Sequence, residues 1–201
     1  MFVLVTGGSG SGKSAYAESR IMGFGAQERY YIATMMCFDE ESLRRIARHR
    51  QMRAGKGFQT IERYTNLAGL RLEAEGPSIG ERQIGPSAGH GRKSVLLECM
   101  SNLAANEMYA PKGAGKEALQ ALKRGIDSLR LQCHDLVVVT NEIFSDGITY
   151  DQSTMEYMKL LGDINCYMAS AADEVVEVVY GIPVTIKAGT GSAPVPCGEE
   201  V

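Results

Sequence analysis

At 201 residues, with 44% hydrophobic and 22% charged side chains and a formal net charge of −3, the chain has the balance of an ordinary globular domain. It is long enough to enclose a core without disulfide or metal staples, and it lacks the basic excess that wraps a nucleic-acid backbone, so no nucleic-acid partner is expected. Its apolar runs fall far short of a membrane span, and its five cysteines contain no CxxC pair, which reads as reduced thiols rather than a disulfide framework or a zinc site.

In chain order, the first expected element is an apolar strand, Phe2–Thr6, entered directly from Met1 without a basic n-region or cleavage motif, so a cytoplasmic location is expected. A glycine loop and a helix-compatible stretch (SAYAESRI) follow, then a strand over Arg29–Ala33 and a helix over Glu40–Ala54. Phe58–Glu62 is a weaker strand. Glu75–Lys93, rich in Gly, Pro and Ser, reads as an exposed loop or insertion. Ser94–Cys99 is the next strand. Leu119, Leu122, Ile126 and Leu129 recur at helical spacing and predict a helix over Lys116–Gln132. A strand over Leu136–Thr140 follows, then a helix over Asp151–Asp173 carrying Met155, Met158, Leu161 and Ile164 on one stripe. Glu174–Tyr180 and, more weakly, Pro183–Lys187 complete the strands, and residues 188–201 read as a disordered tail. Near-continuous apolar strands alternating with helices predict an α/β fold with a mostly parallel central sheet, as one domain over residues 1–187.

The loop after the first strand, Gly7-Gly8-Ser9-Gly10-Ser11-Gly12-Lys13-Ser14, satisfies G-x-x-x-x-G-K-[ST] between a strand and a helix, the context that this phosphate-binding pattern needs. Glycines let backbone N–H groups converge on phosphate oxygens, and the following helix offers its unpaired first-turn amides. Lys13 is expected to reach the β- and γ-phosphates, and the Ser14 hydroxyl to ligate Mg²⁺. Such sites also need a carboxylate at the end of another central strand. Two residues compete for that place: Glu98, closing VLLE, and Glu142, just beyond LVVVT. His49 lies in ESLRRIARHRQMR with Arg45 and Arg53 four residues to either side. Positive neighbours keep an imidazole neutral and nucleophilic and can also neutralise a phosphate, but the same pattern describes a plain basic, solvated helix face.

Taken together, VTGGSGSGKSAYAE, YIAT, DEESLRRIARHR, LLECMSNLAANEM, VVVTNEIFSDGI and LGDINCYMASAADEVVEVVYGIPVTIK, in this order, resemble the bifunctional adenosylcobinamide kinase/adenosylcobinamide-phosphate guanylyltransferase family of cobalamin biosynthesis. The resemblance implies a RecA-like three-layer P-loop NTPase fold and two activities. One is phosphorylation of adenosylcobinamide with ATP or GTP. The other is transfer of GMP from GTP to adenosylcobinamide phosphate through a guanylyl-histidine, which falls on His49. It also implies that Gly7 to Ser14, Ala33, Thr34, Met35, Arg50, Gln51, Met52, Arg53, Glu62 and Glu98 contact nucleotide, that Ser14 and Glu98 hold the metal, and that the protein is a homotrimer. Two rival readings are a P-loop kinase for another small alcohol and a non-catalytic nucleotide-binding regulatory module. Four departures stand out: Gly10 where many members carry Arg, QMRAGKGFQT after the histidine with no proline in the turn, an insertion around residues 70–93, and GITY in place of Gly-Ile-Val-Pro.

Overall fold

A computed structural model describes residues 1–26, 28–37, 40, 43–44, 47, 50–51, 54–72, 91–145, 147–148 and 150–189. His49, Met52 and Arg53, most of the Gly/Pro-rich stretch (73–90) and the tail from 190 onward lie outside the described residues.

Seven strands form one sheet: β1 (Phe2–Thr6), β2 (Glu28–Ala33), β3 (Phe58–Glu62), β4 (Lys93–Glu98), β5 (Asp135–Val139), β6 (Glu174–Val179) and β7 (Ile182–Lys187). Their spatial order is β3-β2-β4-β5-β1-β6-β7. Every neighbouring pair is parallel except β6–β7, an antiparallel hairpin at one edge. Among the described residues four helices have defined bounds: α1 (Lys13–Gly23), α2 (Met100–Tyr109), α3 (Ala118–Gln132) and α4 (Gln152–Ala171). Between β2 and β3, the described residues Glu40, Leu43, Arg44, Ala47, Arg50 and Gln51 also have helical backbone.

Near-continuous apolar strands form because both faces of the sheet are covered, and successive side chains must point to opposite faces. On one face Phe2, Leu4, Ile32, Val95, Leu97, Leu136 and Val138 pack with Leu103, Leu122, Ile126, Leu161 and Ile164 from α2, α3 and α4. On the other, Val3, Val5, Tyr31, Leu96, Val137 and Val139 pack with Ala17 and Ile21 of α1. This is the three-layer arrangement of P-loop, RecA-like α/β proteins.

Several boundaries differ from the sequence expectation, each for a local reason. Asp151 is not in α4 but caps it, its carboxylate accepting the Thr154 amide at 3.0 Å. Gly115–Glu117 form a 3₁₀ turn, with Gly115 at positive φ, and α3 starts only at Ala118. Lys93 is not part of an exposed loop: it opens β4, is buried, and donates from Nζ to Leu72 O at 2.9 Å. Helix α2 is an addition to the expected set. Its buried face includes Ser101, Asn106 and Glu107 beside Met100, Leu103 and Ala104, so no clean apolar stripe announces it. Among the described residues no helix is long and apolar enough to cross a membrane.

Candidate functional site

The glycine loop joins the C-terminal end of β1 to α1, where parallel α/β sheets gather ligands. Gly12 is the N-cap of α1 in the left-handed region (φ 92°), no side chain caps the helix, and its first turn carries no acidic residue. The first-turn amides and the positive end of the helix dipole are thus left for an anion. Gly7 (φ 149°) is required by packing as well as by conformation, since a Cβ there would stand 2.5 Å from Val178 O. The β6–β7 hairpin supports the loop from behind, Gly181 N donating to Ser11 O at 2.8 Å. Gly10 (φ 73°) faces open space, so a side chain there would meet only the cost of a left-handed backbone.

Lys13 is buried and donates from Nζ to Gly8 O at 2.9 Å. Burial holds its ammonium below the ordinary lysine value, and the nearby Cys99 and Glu98 pull it partly back. A desolvated cation of this kind gains from an incoming phosphate. Ser14, one residue on, donates from Oγ to Glu98 Oε1, and Tyr31 donates to Glu98 Oε2 at 3.3 Å. A hydroxyl and a carboxylate side by side at a phosphate loop fit Mg²⁺, which takes one or two protein oxygens and completes its shell from phosphate and water. Consistent with so few protein donors, the described residues hold no cluster of three or more His, Cys, Asp or Glu.

Sheet register decides what else joins this group. Ala33 pairs with Glu62 of β3 on one side and Glu98 of β4 on the other, and Glu98 pairs with Val139 of β5. The row Glu62–Ala33–Glu98–Val139 therefore runs along the C-terminal edge of the sheet toward the glycine loop. A cleft of about 450 Å³ follows it, lined by Ser9 to Ser14 at one end and by Met35, Arg50, Glu62 and Tyr64 at the other. At the far end Arg50 Nη2 stands 3.1 Å from Glu62 Oε1, and Tyr64 donates to Glu62 Oε2 at 2.7 Å. That hydrogen bond, with some burial, raises the Tyr64 phenol above its ordinary value.

The expected residues are thus partly gathered and partly not. Ser9, Gly10, Ser11, Gly12, Lys13, Ser14, Ala33, Met35, Arg50, Glu62 and Glu98 share the cleft. Thr34, expected to touch nucleotide, has a fully buried side chain. Its hydroxyl donates to Cys99 O at 2.8 Å and accepts from Cys99 N at 2.7 Å, and its carbonyl accepts from Asn106. Thr34 therefore ties the ends of β2 and β4 together beneath the cleft. Gly7 and Gly8 shape the loop from behind, and Gln51 is exposed. Tyr31, Thr60, Asn102 and Asn141 also line the cleft and were not expected. For Tyr31 and Thr60 a signal existed: each lies two residues before an expected site residue (Ala33, Glu62) on the same strand, hence on the same face.

Of the two rival carboxylates, only Glu98 meets the phosphate loop through its side chain. Glu142 turns away: its Oε1 accepts from Phe144 N and Ser145 Oγ, both at 2.8 Å, and it lines a separate cavity of about 430 Å³.

Comparison with known proteins agrees with this geometry. Residues 3–186 match the family model described as cobinamide kinase / cobinamide phosphate guanyltransferase. The chain is 34% identical over 198 residues to the bifunctional adenosylcobalamin biosynthesis protein CobU of Escherichia coli K12, covering 93% of this chain and 100% of that protein. It is 31% identical, with the same coverage, to the protein of that name from Salmonella typhimurium LT2. Among solved structures, an ATPase from a type III secretion system of pathogenic bacteria superposes with a TM-score of 0.52 at 8% identity, over 92% of this chain and 56% of that one, a likeness of fold.

Proposed function

The chain belongs to the cobinamide kinase / cobinamide phosphate guanyltransferase family, enzymes that combine a kinase with a nucleotidyltransferase. From that membership we propose that its cleft serves both phosphorus transfers on adenosylcobinamide. The observation that carries this reading is the cleft's two-ended construction: Lys13, Ser14 and Glu98 at one end, Arg50 and Glu62 at the other.

In the kinase reaction the triphosphate of ATP or GTP lies in the glycine loop, its oxygens on the first-turn amides of α1 and on Lys13. Ser14 and Glu98 would hold Mg²⁺, which would supply neutralising charge to the triphosphate. The acceptor hydroxyl attacks the γ-phosphorus, the bond to the bridging oxygen breaks, and the nucleoside diphosphate leaves. The protein contributes position and electrostatic stabilisation rather than covalent chemistry.

In the guanylyl transfer the His49 imidazole attacks the α-phosphorus of GTP and pyrophosphate leaves, so that a P–N bond replaces a P–O bond. Adenosylcobinamide phosphate then takes the GMP group, giving adenosylcobinamide-GDP and restoring the histidine. Support comes from Arg50, the chain neighbour of His49, which faces the cleft and stands beside Glu62; Met52 and Arg53 belong to the same contact segment. The reading includes a single domain over residues 1–187, a cytoplasmic location, and a homotrimer, for which the β7 edge with its exposed Ile182, Val184 and Ile186 offers an apolar surface.

Incubation with GTP labelled at the α-phosphate tests the covalent step. Wild-type protein is expected to retain acid-labile label that maps to His49 by mass spectrometry, and His49→Ala is expected to retain none. Equal labelling of the two proteins would remove the guanylyl-histidine from the reading.

A further inference from the structure

The proposed chemistry needs a seat for the acceptor, and the nucleotide cleft is already taken up by phosphate-binding groups. The separate cavity of about 430 Å³ stands on the other side of a narrow partition. Thr140-Asn141-Glu142 forms that partition at the end of β5: Asn141 lines the nucleotide cleft and Glu142 lines the cavity.

Three hydrogen bonds lock the two spaces together. Glu142 N donates to Gly7 O of the phosphate loop at 3.1 Å. Ser101 of α2 receives Asn141 Nδ2 on its hydroxyl at 2.7 Å and the Tyr157 hydroxyl on its carbonyl at 3.1 Å. Burial pushes the Tyr157 phenol up to about 12, so it remains a donor across the working pH range. The cavity is therefore held in fixed relation to the loop that carries the transferring phosphoryl group.

Its lining states what it accepts. Ile143, Tyr150, Tyr157 and Met158 provide apolar and aromatic walls, and Glu142 is the charged group among the lining residues. The Glu142 carboxylate is oriented by Phe144 N and Ser145 Oγ, leaving acceptor capacity on its oxygens. A carboxylate with no cation among the described lining residues disfavours nucleotides and phosphates and suits a neutral group that donates hydrogen bonds, such as an amide. The volume admits one arm of a macrocycle, not the macrocycle itself.

We propose that this cavity, resting on the kinase reading above, seats an amide-bearing part of the corrinoid acceptor, with Glu142 accepting its N–H hydrogen bonds while the reacting hydroxyl extends to the glycine loop.

Cobinamide binding, followed through the absorbance of the corrinoid, and kinase kinetics with varied cobinamide and varied nucleotide test this on the full-length protein. Glu142→Gln is expected to weaken cobinamide binding and raise its KM about tenfold, the size of a lost charge-assisted hydrogen bond. Met158→Trp, which fills the cavity without touching Glu142, is expected to raise the same KM at least as much, and nucleotide KM is expected to move less than about twofold in both variants. Kinase turnover with a cobinamide KM indifferent to both substitutions overturns the cavity and leaves the kinase reading standing. Cobinamide binding that depends on Glu142 and Met158, without turnover by the wild type, overturns the kinase reading and keeps the cavity. Neither binding nor turnover overturns both.

Discussion

Strands β4 and β5 lie side by side, and each apolar run is followed by a glutamate, yet the two carboxylates finish in different surroundings. Glu98 is the last residue of β4, is buried, and receives the Ser14 and Tyr31 hydroxyls. Glu142 comes three residues after the end of β5, beyond a chain that has already turned, and its carboxylate is spent partly on its own loop. One position inside the strand register puts a carboxylate on the phosphate loop. Three residues beyond it, the backbone still reaches the loop through Glu142 N, but the side chain serves the neighbouring space. Strand-end carboxylates are therefore not interchangeable. Their distance from the last ladder position decides which cavity they enter.

This contrast can be broken in three ways. The largest effect is expected for Glu98→Gln, which removes the charge beside Lys13 and Ser14: the rate of phosphoryl transfer should fall about a hundredfold or more with cobinamide KM little changed. A rise in cobinamide KM equal to that of Glu142→Gln would erase the distinction between the two sites. Gly7→Ala attacks the point where the two regions meet, because Gly7 O accepts from Glu142 N and its Cβ would stand 2.5 Å from Val178 O. It should cost about 2–4 kcal/mol in urea or thermal unfolding and weaken nucleotide and acceptor binding together. A stable protein with only one function impaired would show that the loop and the cavity move independently.

The smallest effect concerns the opposite end of β5. Asp135 has a buried side chain and meets Arg92 through two hydrogen bonds, of 2.8 and 2.9 Å. Burial by itself would raise its carboxyl, but Arg92, the N-terminal ammonium and the Ser94 hydroxyl together outweigh burial, and the group lies below its ordinary value of 3.8. A carboxyl depressed on folding adds stability above its unfolded pKa and loses it as pH falls through the folded value. The unfolding midpoint of Asp135→Asn should therefore trail the wild type at neutral pH and converge with it below about pH 4. Convergence should leave nucleotide binding at pH 7 untouched, since Asp135 lies at the end of the sheet away from both cavities.

Much of this arrangement was legible in the sequence, for identifiable reasons. The strands FVLVT, VLLE and LVVVT announced themselves because burial on both faces leaves no polar alternation to confuse them. The glycine loop was legible because its chemistry is local: the spacing, the flanking strand and the following helix all fall within one short stretch. Helix α2 was not, because its buried face carries Ser101, Asn106 and Glu107, whose partners come from distant parts of the chain. Asn106 reaches Thr34 O, and Glu107 receives the Asn66 and Ala114 amides. The surroundings of Thr34 were hidden for a related reason. The resemblance put it among the nucleotide contacts, but its hydroxyl is engaged by the Cys99 backbone, far away in sequence.

By itself the sequence determined the phosphate loop and the layered α/β class, since each rests on local spacing or on the pattern of burial along one element; the family and most candidate residues came from the resemblance carried by its ordered motifs. The residues alone left Glu98 and Glu142 in competition, and the resemblance chose Glu98. The tertiary structure supplied the physical reason, through the strand order and the pairing of Ala33 with both Glu62 and Glu98. Register is a property of two chain segments far apart in sequence, fixed by how their side chains pack on both faces of the sheet. Which carboxylate stands at a phosphate loop depends on that pairing, and no single segment contains it.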